Sequence, residues 1–117
     1  MTATLISGKE VAENVRESVA AAVEQLPGQP TLAVVIVGDD AASQVYVRSK
    51  VRQTEAVGMR SLHHHLPKDA TQFEVENLIS DLNADDDVDG ILYFNMMHGE
   101  HYNTIRTTDR TVSLIIN

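Results

Sequence analysis

Apolar positions along the chain switch between a helical period and unbroken runs. Between residues 9 and 26 one apolar stripe recurs every four positions, at Val11, Val15, Val19 and Val23. This spacing predicts an amphipathic helix that ends before Pro27. Residues 32–37, with the sequence LAVVIV, form an unbroken apolar run, rich in β-branched residues and closed by Gly38. Such a run predicts a strand buried on both faces, as in a parallel sheet.

A second helix and a second strand follow this run. Asp39 and Asp40 are good N-cap candidates for a helix that continues to about residue 57 and ends at Gly58. Residues 59–66 then predict a strand that Pro67 stops. Because residues 59–66 are more polar than residues 32–37, the earlier strand is expected in or near the centre of the sheet.

The third helix carries the clearest start signal. Thr71 and Glu74 form a T-x-x-E capping box ahead of an apolar stripe, and residues 88–94 (VDGILYF) predict a third strand. The order α-β-α-β-α-β predicts an α/β fold: a three-layer αβα domain with a short, mostly parallel sheet.

The tail, residues 95–117, has no clean period. Residues 111–116 (TVSLII) fit two structures. Their Thr and Val favour a short strand, whereas the preceding Thr-Asp-Arg favours a capped helix start. The sequence leaves both open.

Composition narrows the class of protein. The 117 residues predict a single domain, and 43% hydrophobic with 22% charged residues is typical of a globular one. Nine basic against seventeen acidic residues give a net charge of −8, which argues against nucleic acid and anionic membranes as partners. The absence of Cys excludes disulfides and thiolate chemistry. With no apolar run of bilayer length and no secretory pattern, we expect a cytoplasmic protein.

The segment of most chemical interest is VGDDAASQVYVRSK, residues 37–50. Gly38 closes a buried strand and a helix begins directly after it, which is where open α/β sheets bind ligands. Tyr46 and Lys50 are four residues apart and therefore share one helix face. Lys50 is a candidate acid or base, and Tyr46 offers a ring for stacking. The same spacing also fits a structural pair, a half-buried ring beneath a solvated ammonium.

This segment resembles the signature VGDDPASQVYVRNK of the bifunctional methylenetetrahydrofolate dehydrogenase/methenyltetrahydrofolate cyclohydrolase family. The segments LISGKEVAENVRE, GMRSLHHHLP and LISDLNADDDVDGIL resemble further parts of that family's catalytic domain, in the same order. The resemblance covers residues 5–92 almost without gaps. It implies a folate-site domain that interconverts one-carbon tetrahydrofolates.

The resemblance also implies roles for single residues. Tyr46 would stack on the folate ring system, and Lys50 would be the catalytic group of the cyclohydrolase step. Ser43 and Gln44 would lie near the same cleft and bind substrate, although plain polarity at a helix N-terminus explains them equally well.

Departures from the family pattern put the activity in doubt. Where the family has VQLPLP this chain has YFNMMH, so Phe94 replaces a Gln that supports the catalytic Lys, and Ala41 replaces a Pro. The NADP-binding Rossmann domain of the full-length family has no counterpart here, so we expect no cofactor in this chain. Residues 95–117 are divergent. We therefore expect an impaired folate-binding domain, or alternatively a non-catalytic truncated or engineered scaffold that binds another chain.

Two expectations concern partners and metals. Loss of the family's covering segments would leave apolar side chains bare, so self-association into a homo-oligomer is expected. No metal is expected, because strand alternation separates His64 from His63 and His65, and the Asp85–Asp87 run lacks a calcium-loop pattern. The looser cluster of His98, Glu100 and His101 lies in the unpatterned tail.

Overall fold

The computed structural model describes residues 2–95 and 112–116. It contains three helices and four strands, in the order α1 (Gly8–Glu24), β1 (Thr31–Val37), α2 (Ala41–Ala56), β2 (Arg60–Leu66), α3 (Gln72–Ala84), β3 (Gly90–Asn95) and β4 (Val112–Ile116). The predicted α-β-α-β-α-β order is confirmed, and element ends differ from the predicted ones by about two residues.

The four strands form one sheet in the order β2-β1-β3-β4, with every neighbouring pair parallel. The prediction that β1 lies centrally is confirmed, since β1 pairs with β2 on one side and β3 on the other. In the tail, β4 adds to the outer side of β3 and resolves the open choice between strand and helix in favour of a strand. The sheet therefore has one strand more than the three predicted.

The two faces of the sheet carry separate cores, which confirms the three-layer α/β class. On one face Val34 and Ile36 of β1 pack with Val47 of α2. On the other face Val35 and its neighbours pack with α3, through Val75, Ile79 and Leu82. An unalternating apolar strand results because β1 is covered by a helix on each side.

Capping and cross-strand bonds fix the ends of these elements. The predicted capping box of α3 is present: the Glu74 backbone N–H donates to Thr71 Oγ1 (3.2 Å), and the Thr71 N–H donates to Glu74 Oε2 (2.8 Å). At the start of the sheet, the buried Thr31 N–H donates to Asp89 Oδ2 (2.9 Å), which ties the beginning of β1 to the entry of β3.

Helix α1 is different, because none of its residues is buried. Three of its four stripe valines are solvent-exposed, Val11 at 52%, Val15 at 56% and Val19 at 36%, and Val23 is partly buried. The predicted amphipathic helix is confirmed, and most of its apolar face is uncovered within the described part of the chain. Across residues 2–95 and 112–116, no helix is long and apolar enough to cross a bilayer.

Candidate functional site

The strand order defines where a ligand site is expected. The chain leaves β1 through α2 to reach β2, and returns through α3 on the opposite face to reach β3 on the other side of β1. In parallel α/β sheets the crevice at this reversal, beyond the carboxyl ends of the strands, is the usual ligand site. Here it lies between the carboxyl ends of β1 and β3.

Three side chains, from α2 and β3, meet on the face of the sheet that α2 covers. The rings of Tyr46 and Phe94 make an edge-to-face contact, with centroids 5.2 Å apart and planes at 63°. The Lys50 Nζ lies 5.0 Å from the Tyr46 ring centroid, in cation–π range. The sequence placed Tyr46 and Lys50 on one helix face, and the tertiary structure adds Phe94 from β3.

Phe94 and Tyr46 differ in their solvent exposure. Phe94 is 6% exposed and belongs to the core shared by β1, β3 and α2, whereas Tyr46 is 43% exposed. Phe94 therefore fixes the Tyr46 ring from below and leaves part of that ring accessible to a planar ligand. The Phe94 side chain has no hydrogen-bonding atom to offer the Lys50 ammonium.

Gln44 lies on the other flank of α2. It lines a pocket of about 190 Å³ between α2 and β2, together with Ile36, Val47, Arg48, His63 and His65. The structure thus brings Tyr46, Lys50 and Phe94 together and leaves Gln44 on the β2 side. This follows from helix geometry, since Gln44 and Tyr46 are two residues apart and point to different sides. The Ser43 side chain lies outside the described part of the molecule.

The turn that starts α2 is held by β2. Gly38 has a positive φ of 100°, which favours glycine at that position. Its N–H donates to the Leu66 carbonyl (3.1 Å), and its carbonyl lies 2.8 Å from His65 Nε2. The same nitrogen is 3.2 Å from Asp39 Oδ1. Sequence reasoning missed this contact, because strand alternation separates His65 from His64 but does not say which face of the sheet α2 covers.

The histidine run is arranged as strand alternation predicts. His63 and His65 pair in register with Val34 and Ile36, on the α2 side, and His64 pairs with Val35. Among the described residues, no group of three or more His, Asp or Glu side chains is arranged to hold a metal ion. The tail cluster at His98 and His101 lies outside the described residues.

These features define a parallel α/β domain whose candidate ligand crevice, at the reversal of strand order, presents an aromatic ring and a lysine. Comparison with protein families makes this specific. Residues 6–108 match the model of the tetrahydrofolate dehydrogenase/cyclohydrolase catalytic domain, and the chain belongs to that family.

Individual relatives agree with this membership. The Bifunctional protein FolD of Hyphomonas neptunium is 65% identical over 92 residues, which cover 79% of this chain and 31% of the relative. Among solved structures, a 5,10-methylenetetrahydrofolate dehydrogenase from the silkworm Bombyx mori superposes with a TM-score of 0.75 at 35% identity, over 79% of this chain and 33% of that one.

A third relative bears on the cofactor. The methylenetetrahydrofolate dehydrogenase-cyclohydrolase (FolD) of Trypanosoma brucei, solved in complex with NADP and an inhibitor, has a TM-score of 0.72 at 29% identity, over 80% of this chain and 33% of that one. The chain therefore spans about a third of the length of the relatives it matches.

Proposed function

We propose that this chain forms a folate site that acts on one-carbon tetrahydrofolates, with Tyr46 holding the pteridine ring and Lys50 handling protons. The observation that carries the proposal is the Lys50–Tyr46–Phe94 group at the strand-order reversal of a domain from this family. A half-exposed ring fixed from below suits a planar heterocycle, because stacking needs an accessible π face and little motion.

The reaction that these residues suit is hydrolysis of 5,10-methenyltetrahydrofolate. Water adds to the cationic methenyl carbon, a C–O bond forms, and one of the two C–N bonds then breaks to leave a formyl group and release one proton overall. Lys50 would move protons between the attacking water and the departing nitrogen. A positioned acid or base of this kind contributes about a hundredfold or more to a rate.

Phe94 is expected to limit this activity. In the pattern that the chain resembles, a Gln at this position hydrogen-bonds the catalytic Lys, and a phenyl ring cannot do so. The Lys50 ammonium then has the Tyr46 ring as a neighbour but gains no directional bond from Phe94. We therefore propose an impaired catalyst that retains folate binding.

Hydride transfer makes a separate demand, because it needs NADP held beside the folate. NADP is bound in the Trypanosoma brucei relative, of which this chain covers 33%. The 117 residues contain no G-x-G-x-x-G fingerprint for a dinucleotide. We expect this polypeptide by itself to show no dehydrogenase activity.

Ser43 and Gln44 remain candidates for substrate contacts at the start of α2. Gln44 lies on the β2 flank, so a role in folate binding would require the ligand to reach around the end of the helix. The second candidate function, an interaction scaffold, is favoured by one observation: the uncovered valine stripe of α1.

The function is tested by a titration and a rate assay on one sample. We expect the 117-residue chain to bind 5-formyltetrahydrofolate, and to hydrolyse 5,10-methenyltetrahydrofolate faster than Lys50→Ala does, with about a hundredfold loss of the protein-dependent rate in the variant. Lys68→Ala, which alters an exposed lysine outside the site, is the matched control and should leave both quantities unchanged.

Two outcomes would contradict the proposal. Equal rates for the unaltered chain and Lys50→Ala would remove Lys50 from the chemistry. Absence of folate binding in a folded sample would favour the scaffold function instead.

A further inference from the structure

We propose that His65 is a positioning residue: its bond to the Gly38 carbonyl sets the start of α2 and, through that helix, the placement of Tyr46 and Lys50. The proposal rests in part on the proposed folate site, because the consequence for ligand binding needs that site. The positioning of α2 by His65 rests only on the contacts around Gly38.

The chemistry of the contact fixes which ring nitrogen of His65 donates to the turn. His65 Nε2 lies 2.8 Å from the Gly38 carbonyl oxygen and 3.2 Å from Asp39 Oδ1. Both partner atoms, a carbonyl oxygen and a carboxylate oxygen, are hydrogen-bond acceptors. Nε2 must therefore carry the hydrogen. His65 therefore donates to the turn whether the imidazole is neutral or charged.

Gly38 is consequently held at both of its peptide groups by the last two residues of β2. Its N–H donates to the Leu66 carbonyl at 3.1 Å, and its carbonyl accepts from His65. Gly38 itself is buried and has a φ of 100°. Two bonds on one residue with this backbone conformation leave little freedom in the direction from which the chain enters α2.

Apolar contacts also hold helix α2 against the sheet. It rests on the sheet through buried Val47 and partly buried Val51. Apolar packing sets the distance of a helix from a sheet but is non-directional, so it restrains sliding and rolling less well than a hydrogen bond does. The two hydrogen bonds of Gly38, one to Leu66 and one from His65, form a clamp. This clamp is a directional restraint eight residues before Tyr46.

The consequence reaches the site because Tyr46 must meet Phe94 on another element. The ring contact spans α2 and β3, with centroids 5.2 Å apart, and a roll of α2 would separate the two rings. Misplacement of a binding or catalytic group by about 1 Å is enough to lower a rate substantially. His65 thus acts on the folate site through the helix and does not touch the ligand.

The test varies how far the hydrogen-bond donor of residue 65 extends from the backbone. His65→Gln puts an amide N–H₂ close to the position of Nε2 and cannot titrate, whereas His65→Asn carries the same amide at too short a reach. His65→Leu removes the donor. His63→Leu, on the same strand and the same face, is the matched control.

Two readouts are measured on each variant of the 117-residue chain. The first needs no ligand: amide hydrogen exchange at Gln44, whose N–H donates to the Asp40 carbonyl in the first turn of α2, and the Tyr46–Phe94 ring cross-peaks in NMR spectra. The second is the dissociation constant for 5-formyltetrahydrofolate.

We expect His65→Leu and His65→Asn to speed Gln44 exchange about fivefold and to weaken the ring cross-peaks and folate binding by a similar factor, as loss of one hydrogen bond predicts. His65→Gln and His63→Leu should stay within about twofold of the unaltered chain. If His65→Leu does not fold, the Gln–Asn pair still separates donor reach from general disruption.

Unchanged exchange and cross-peaks in His65→Asn, or failure of His65→Gln to restore them, would overturn the positioning role. If the exchange pattern follows the expectation while no variant binds folate, the positioning role stands and the proposed function fails. If exchange follows the expectation but all variants bind folate equally, the clamp does not act on the site and the proposal is wrong.

Discussion

Phe94 belongs to the hydrophobic core and also borders the candidate site. Its ring is 6% exposed and packs with Leu92 and the α2 face of β1, yet its edge-to-face contact fixes the half-exposed ring of Tyr46. An aromatic pair of this geometry contributes about 1 kcal/mol beyond the area it buries. We therefore expect replacement of Phe94 to change stability and, at the proposed folate site, ligand binding together.

The substitution Phe94→Gln separates these effects. Loss of a buried ring should lower the free energy of unfolding by about 3 kcal/mol, because packing is lost and an amide is left in an apolar core. The rate of methenyltetrahydrofolate hydrolysis per folded molecule should rise, by up to about a hundredfold, if the new amide bonds the Lys50 ammonium. Urea denaturation and a rate assay normalised to the folded fraction measure the two quantities.

Phe73→Gln provides the control for that experiment. Phe73 lies on α3 with 72% of its surface exposed, so the same change of residue should alter neither stability nor rate. A hydrolysis rate that falls in Phe94→Gln in parallel with stability would mean that Phe94 serves the site only as a support for Tyr46.

At the scale of whole elements, α1 and α3 share an N-cap hydrogen bond, which α3 extends to a full capping box, but they differ in packing. Ser7 Oγ accepts from the Glu10 N–H at the start of α1, and Thr71 does the same for Glu74 in α3. Helix α3 buries Val75, Ile79 and Leu82, whereas α1 buries none of its residues. A cap affects global stability only where the capped helix is coupled to the core.

Thr71→Ala is therefore expected to lower the free energy of unfolding by about 1 kcal/mol, the usual value of an N-cap. Ser7→Ala should lower it by much less, because α1 can fray while the sheet and α3 remain folded. Circular dichroism, which reports on helix content, should still detect a loss in Ser7→Ala. Equal losses of global stability in the two variants would show that α1 is part of the cooperative unit.

For the whole molecule, an acidic net charge opposes an uncovered apolar stripe. A net charge of −8 repels a second copy at long range, while the α1 valines favour contact at short range. Salt screens the first effect and leaves the second largely intact. The balance between them makes self-association dependent on ionic strength.

We expect sedimentation to show association that increases with protein concentration and with salt. Val15→Ser, at the middle of the stripe, should weaken it, whereas Phe73→Ser on α3 should not, although both remove an exposed apolar side chain. A monomer at high protein concentration in high salt would exclude the homo-oligomer, and an equal effect of both variants would place the contact elsewhere.

The periodicity of the sequence predicted the helices, the first three strands and their parallel order. These features depend on near neighbours: a valine stripe with a four-residue period, a capping box four residues long and an unbroken apolar run each specify an element from residues within it. The spacing of Tyr46 and Lys50 likewise predicted a shared helix face, which their cation–π contact confirms. Their proposed roles rest on the family resemblance and not on the spacing.

The tertiary structure decided what depends on distant partners. The strand β4 forms where the tail finds the free edge of β3, although its local sequence fits a helix start as well. The contacts of Phe94 with Tyr46 and of His65 with Gly38 depend on strand register and on the orientation of α2. Neither can be inferred from the sequence of one segment, because each involves two separate elements. The valine stripe of α1 is amphipathic from its sequence alone, but whether it is covered depends on which surfaces lie near it, and in this structure it is exposed.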